Sequence, residues 1–198
     1  MTMDMFITLL VFAATTTFSP GPNNILMLTL AGQYGFKKCL KIMTGIWTGS
    51  FTLMLCCGLF SSVLSKLLPD IAPYFKYVGA IYILWLAYKT VQRRPVTAGE
   101  GEQKEPAFLT GFFLQMANVK IMLYGLTAFT TYITPYVSSI PMLVFFAFVL
   151  MAVAATGNII WAVVGNVCQR FYTKYYKLFN IVMGLLLVWC AVKILVTT

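Results

Sequence analysis

The sequence contains no histidine and only five acidic residues, and just 10% of its 198 positions are charged. Without histidine there is no imidazole triad, histidine metal site or imidazole proton relay. The acids are Asp4, Asp70, Glu100, Glu102 and Glu105. All fall near the ends of apolar runs or between them, so the paired carboxylates that acid–base chemistry uses are absent from the runs themselves. Cys39, Cys56, Cys57, Cys168 and Cys190 form no C-x-x-C and no metal spacing. They read as reduced, packing thiols. Neither an enzyme nor a cofactor is expected. A soluble domain carries about 25% charged residues, so an ordinary soluble domain is excluded too.

What is present is apolar: 60% of the chain is hydrophobic. A bilayer core of ~30 Å takes about 20 such residues per helix. Six stretches qualify, at Met5–Ala31, Ile42–Leu64, Pro73–Val91, Phe108–Ile133, Met142–Val164 and Leu178–Val196. The expected fold is therefore an all-α integral membrane protein with six transmembrane helices. The first run has no Lys or Arg before it, unlike a secretory signal, and is read as span 1. The basic residues Lys37, Lys38, Lys41, Lys89, Arg93, Arg94, Lys104, Arg170, Lys174 and Lys177 fall on one side, and Lys66, Lys76 and Lys193 on the other. The positive-inside rule puts the larger group in the cytoplasm and both termini in the periplasm. The net charge of +9 then reports orientation in membrane lipid, and no nucleic-acid partner is expected.

Residues 95–107 form the one linker-like stretch, dividing a first three-helix half (1–94) from a second (108–198). Three spans per half require opposite insertion, the pattern of two inverted three-helix repeats. Trp85 to Lys89 resembles Trp189 to Lys193, and Asn23, Met27 and Leu28 resemble Asn118, Met122 and Leu123.

The strongest local anomaly is Ser19-Pro20-Gly21-Pro22-Asn23-Asn24 in span 1. Two prolines remove backbone donors and clash with the preceding turn, which predicts a first helix broken at Pro-Gly-Pro. Such a break survives in hydrocarbon where it faces protein or a water-filled cavity. Pro22 suits the first turn of a new half-helix, whose positive end favours a carboxylate. Pro20, Gly21, Pro22, Asn23 and Asn24 are therefore candidate substrate-binding residues. The second anomaly is Lys120, near mid-depth of span 4, where a charge is costly and marks function. Tyr124, Thr127 and Thr131 share its face on an ideal helix, whereas Asn118 points about 160° away. Either Asn118 and Lys120 do different jobs or the helix is locally unwound. Asn158, beside Gly157 and near Trp161 in span 5, completes the candidates. Gly45 and Gly49 permit a close helix contact, within one chain or between two chains of a homodimer.

With the Ser-Pro-Gly-Pro-Asn-Asn element, Asn118-Val119-Lys120 and Gly157-Asn158-x-x-Trp161 in a chain near 200 residues, the sequence resembles the LysE/RhtB family of amino-acid exporters. Gln115 to Gly125, Gln169-Arg170 and Asn180-Ile181-Val182 are most similar to its cysteine- and O-acetylserine-exporting branch. Many members read Asn-Pro-Lys where this chain has Asn118-Val119-Lys120. The resemblance implies export of a small neutral amino acid across the bacterial inner membrane, driven by the proton gradient. On that reading the carboxylate meets Lys120 or the half-helix after Pro22, and the ammonium meets carbonyls freed near Thr16 to Ser19. With no carboxylate in the spans, Lys120 is the leading proton carrier. The rivals are an exporter of threonine or homoserine, a membrane thiol relay and a non-transporting scaffold.

Overall fold

The computed structural model describes residues 2–61, 77, 80–92 and 107–196. Among these the chain is helical, with no strand. Helices α1 (Met3–Phe18) and α2 (Pro22–Tyr34) form a bent pair, followed by α3 (Phe36–Leu59) and the shorter α4 (Ala80–Val91). Helices α5 (Phe108–Met116) and α6 (Val119–Thr127) form a second bent pair, continued by a π-helical turn over Ala128–Ile133. Helices α7 (Ile140–Val167) and α8 (Gln169–Val196) close the chain. Helix α8 is kinked at Tyr175.

Length and apolarity let α3, α7 and the Lys174–Val192 part of α8 each cross a bilayer, and each bent pair suffices for one further crossing. These account for expected spans 1, 2, 4, 5 and 6. Of span 3, only Ala80–Val91 and Tyr77 are described. The linker at 95–106 lies outside the described residues, and so does any division of the chain there.

The break in span 1 falls where two prolines predict it. Helices α1 and α2 meet at 51°, with Pro22 in the first turn of α2. Two of the carbonyls at the break find side-chain donors, as buried backbone groups need partners. Thr16 O accepts from Ser19 Oγ at 2.9 Å, and Thr17 O accepts from Asn24 Nδ2 at 2.8 Å. The break in span 4 has no proline, yet α5 and α6 meet at 61°. Asn118 makes it. Its extended backbone (φ −84°, ψ 93°) places it as the N-cap of α6, where its side chain accepts from Ile121 N. A short amide competes well with helical backbone bonding at such a position.

Glycines set how closely the helices pack. A Cβ on Gly45 would collide with the Phe108 carbonyl, and one on Gly111 with the Ile42 carbonyl. Gly49 sits against Gln115 and Phe112. The Gly45–Gly49 pair therefore packs α3 on α5 within one chain. Gly165 plays the same part for α7 against the Leu28 carbonyl of α2. Side-chain atoms are thereby replaced by direct backbone contact, the usual basis of helix association in lipid.

Two apolar cores result. One joins α2, the first half of α3, α4 and α8 around Met27, Ile46, Leu86 and Leu187. The other joins α1, the second half of α3, α6, the π-turn and α7 around Leu9, Met54, Phe129 and Leu150. Between them lies a layer of buried amides and hydroxyls: Asn23, Asn24, Ser50, Gln115, Asn118 and Asn158. Both helix breaks fall in this layer.

Candidate functional site

A cavity in the polar layer is lined by α1 (Thr16, Thr17), the two helix breaks and the α7 residues Ala154 and Asn158. The first break contributes Gly21, Pro22, Asn23 and Asn24; the second contributes Gln115, Asn118, Lys120, Ile121 and Tyr124. Eight of the nine candidates drawn from the sequence are thus brought together. Pro20 is not among them. It is exposed and sits with Val182, Leu185, Leu186 and Trp189 in an apolar groove outside the cavity. Its role is to help end α1, since it lacks a backbone donor.

The amides form two linked sets. In the first, Asn23 Nδ2 donates to Gln115 Oε1 at 2.6 Å, and Asn118 Nδ2 donates to Asn23 Oδ1 at 3.0 Å. Gln115 Nε2 passes the chain to Ser50 Oγ at 2.6 Å, and Ser50 donates to the Ile46 carbonyl. In the second, Asn158 Nδ2 donates to Asn24 Oδ1 at 3.1 Å, while Asn24 Nδ2 holds the carbonyls of Thr17 and Ser19. The two breaks are therefore tied to each other and to α3 and α7. Buried amides left unpaired would cost about 1–3 kcal/mol each, so this network fixes both breaks in position.

Lys120 belongs to the first turn of α6 and reaches across to α1. Its ammonium donates to Ser19 Oγ at 2.8 Å and to Ser19 O at 3.1 Å. A Cβ on Gly21 would stand 3.0 Å from Lys120 Nζ, so the glycine leaves room for the ammonium beside the start of α2. The break resolves the 160° conflict between Asn118 and Lys120. Asn118 precedes the helix as its cap, so both side chains face the cavity. Tyr124, one turn on, donates to the Leu150 carbonyl of α7 at 3.2 Å and stacks on Phe12. Thr127 and Thr131 do not line the cavity. The π-helical turn, marked by Thr134 N bonding to Phe129 O, carries Thr131 off the ideal face.

The electrostatics are one-sided. Helices α2 and α6 both begin at this layer, so two positive helix ends converge beside one ammonium. No side chain caps α2, and its first turn has no acid. Among the described residues Asp4 is the single acidic side chain, and it lies at the far end of α1. A carboxylate fits such a field, and a cationic side chain does not. The described residues hold no cluster of metal-ligating side chains. Sequence reasoning did not give Gln115 or Ser50 a role, because one polar residue in an apolar run carries no sign of its partner 65 positions away. The cavity is small, with about 20 Å³ available to the centres of water molecules, little more than one water needs.

Residues 14–198 match the family described as LysE type translocator. The chain is 38% identical over 184 residues to the cysteine/O-acetylserine efflux protein of Escherichia coli K12, covering 92% of this chain and 93% of that protein. It is 36% identical over 183 residues to the protein of the same name from Salmonella typhimurium LT2, with the same coverage. No solved structure matches the chain significantly.

Proposed function

This chain belongs to the LysE family of translocators, a multi-pass membrane protein and not an enzyme, and from that premise we propose that it exports small neutral amino acids. Cysteine and O-acetylserine, named in the 36–38% identical efflux proteins, are the foremost substrates. The route runs from the bacterial cytoplasm across the inner membrane, with both termini periplasmic.

The observation that carries this reading is the Lys120 ammonium resting on the two oxygens of Ser19, where two positive helix ends converge. A zwitterion inserts into that pair. Its ammonium replaces Nζ at Ser19 O and Oγ. Its carboxylate meets the displaced Lys120 and the uncapped start of α2. The Lys120 ammonium then has hydrogen-bond acceptors before binding and a carboxylate after it, as a low-dielectric site demands of a charge. The Asn23–Gln115–Asn118 and Asn24–Asn158 sets hold the breaks around it.

In this orientation α2 and α5 are the cytoplasmic half-helices and α1 and α6 the periplasmic ones. The cytoplasmic halves are clamped by Gly45, Gly111 and Gly165, and Asn166 Oδ1 accepts from Phe36 N across their ends at 2.9 Å. The periplasmic halves meet through rings, with Phe12 lying 5.8 Å from Tyr124 and 5.6 Å from Tyr132. Substrate passage requires these contacts to open in turn as one three-helix half rocks against the other. The proton gradient drives the cycle through Lys120, which binds substrate when protonated and releases it when neutral.

The test is flux from vesicles holding the purified protein. Labelled cysteine, O-acetylserine, threonine, homoserine and lysine are loaded with and without a pH gradient. Cysteine and O-acetylserine leave fastest, and the gradient accelerates them. Lys120→Arg keeps the charge and loses the acceleration. A preference for lysine contradicts the pocket, and undiminished gradient-driven export by Lys120→Arg contradicts the coupling.

A further inference from the structure

Two lining residues differ from the rest. Ala154 of α7 and Ile121 of α6 offer open-chain aliphatic side chains in a cavity otherwise lined by amides, hydroxyl-bearing residues, Lys120, Gly21 and the Pro22 ring. On α7, Leu150, Ala154 and Asn158 follow one another by a turn and share a face. The Leu150 carbonyl is engaged by Tyr124, and Asn158 is engaged by Asn24. Both neighbours are thereby fixed, and Ala154 is the small residue between them. Ile121 is half-buried and anchored, because its own N–H is held by the Asn118 cap.

Ser19, Lys120 and the start of α2 are the groups that would take the ammonium and carboxylate of a zwitterion. The lining amides are bonded to one another, so the lining left for an uncharged side chain is Ala154 and Ile121. From this we infer that Ala154 and Ile121 form the side-chain subsite of the transporter, and that the Ala154 methyl sets the largest side chain it accepts. This inference rests on the export reading above. The chemical class is a short, uncharged side chain. A cationic one finds no acid among the lining residues. A bulky one meets the Ala154 methyl in the cavity wall.

The prediction has two directions, so loss of fold cannot imitate it. In reconstituted vesicles, Ala154→Val lowers export of O-acetylserine relative to alanine by roughly tenfold, the usual worth of a methylene in a tight pocket. Ile121→Ala does the reverse and brings leucine, which the unaltered protein excludes, to within roughly tenfold of cysteine. Unaltered protein that moves no amino acid overturns the export reading and this inference together. Unaltered protein that exports cysteine, with the same size ranking in both variants, overturns the subsite alone.

Discussion

Lys120 is an expensive residue in an apolar span, and its surroundings show how the cost is offset. Its ammonium has two oxygen partners from one residue, Ser19, and both lie at a helix break where backbone carbonyls are free to receive it. Replacing it with methionine removes the charge while keeping length. Lys120→Met should weaken substrate binding by about 2 kcal/mol, or roughly 30-fold, as for loss of one member of a buried charged pair. Gly21 offers a finer probe. Its backbone is extended (φ −158°), a conformation open to any residue. Gly21→Ala should therefore leave thermal stability unchanged. Its methyl, however, would sit 3.0 Å from Lys120 Nζ and push the ammonium off Ser19, so the apparent affinity for O-acetylserine in flux measurements should fall severalfold. Equal loss of stability and transport would show that the glycine serves packing instead.

At the scale of elements, the two breaks differ in how openly the sequence declares them. Pro20 and Pro22 announce the first, because proline cannot complete a helix. The second depends on Asn118 capping α6, and an Asn two residues before a Lys is compatible with an intact helix until the 61° bend is seen. The apolar runs, the first break and most of the cavity lining were legible because each rests on local chemistry. The pairing of Gln115 with Ser50 and Asn23, and the outward position of Pro20, were not, because tertiary packing decides them. The same holds for Gly45, whose partner proves to be the Phe108 carbonyl of the same chain. Gly45→Ala should lower stability by about 1–3 kcal/mol, as overpacking does, measured as a shift in detergent thermal unfolding. The ring contacts of α1 make a different prediction. In protein whose native cysteines are replaced, Phe12→Cys with Tyr132→Cys, joined by a short bifunctional thiol reagent, should halt O-acetylserine export, whereas either single variant treated alike should continue. Undiminished export by the cross-linked pair would mean that α1 and the π-turn do not separate during transport.

For the whole molecule, the scarcity of charge acquires a definite meaning. Ten of the fourteen basic residues follow the expected spans 1, 3 and 5 in the sequence, and a single basic residue reaches the buried polar layer among the described residues. Two apolar cores enclose that layer, and each contains helices from before and after the linker. Asn23 and Asn118, which the sequence aligns between the two halves, bond directly to each other at 3.0 Å. The central claim is that this layer binds a small zwitterion between Ser19 and Lys120. It is tested most directly by equilibrium binding of labelled O-acetylserine to the purified protein and to Lys120→Met, both verified as folded by thermal unfolding. Saturable one-site binding to the unaltered protein, weakened roughly 30-fold in the variant, is the predicted result; equal affinity in the two proteins would place the substrate elsewhere.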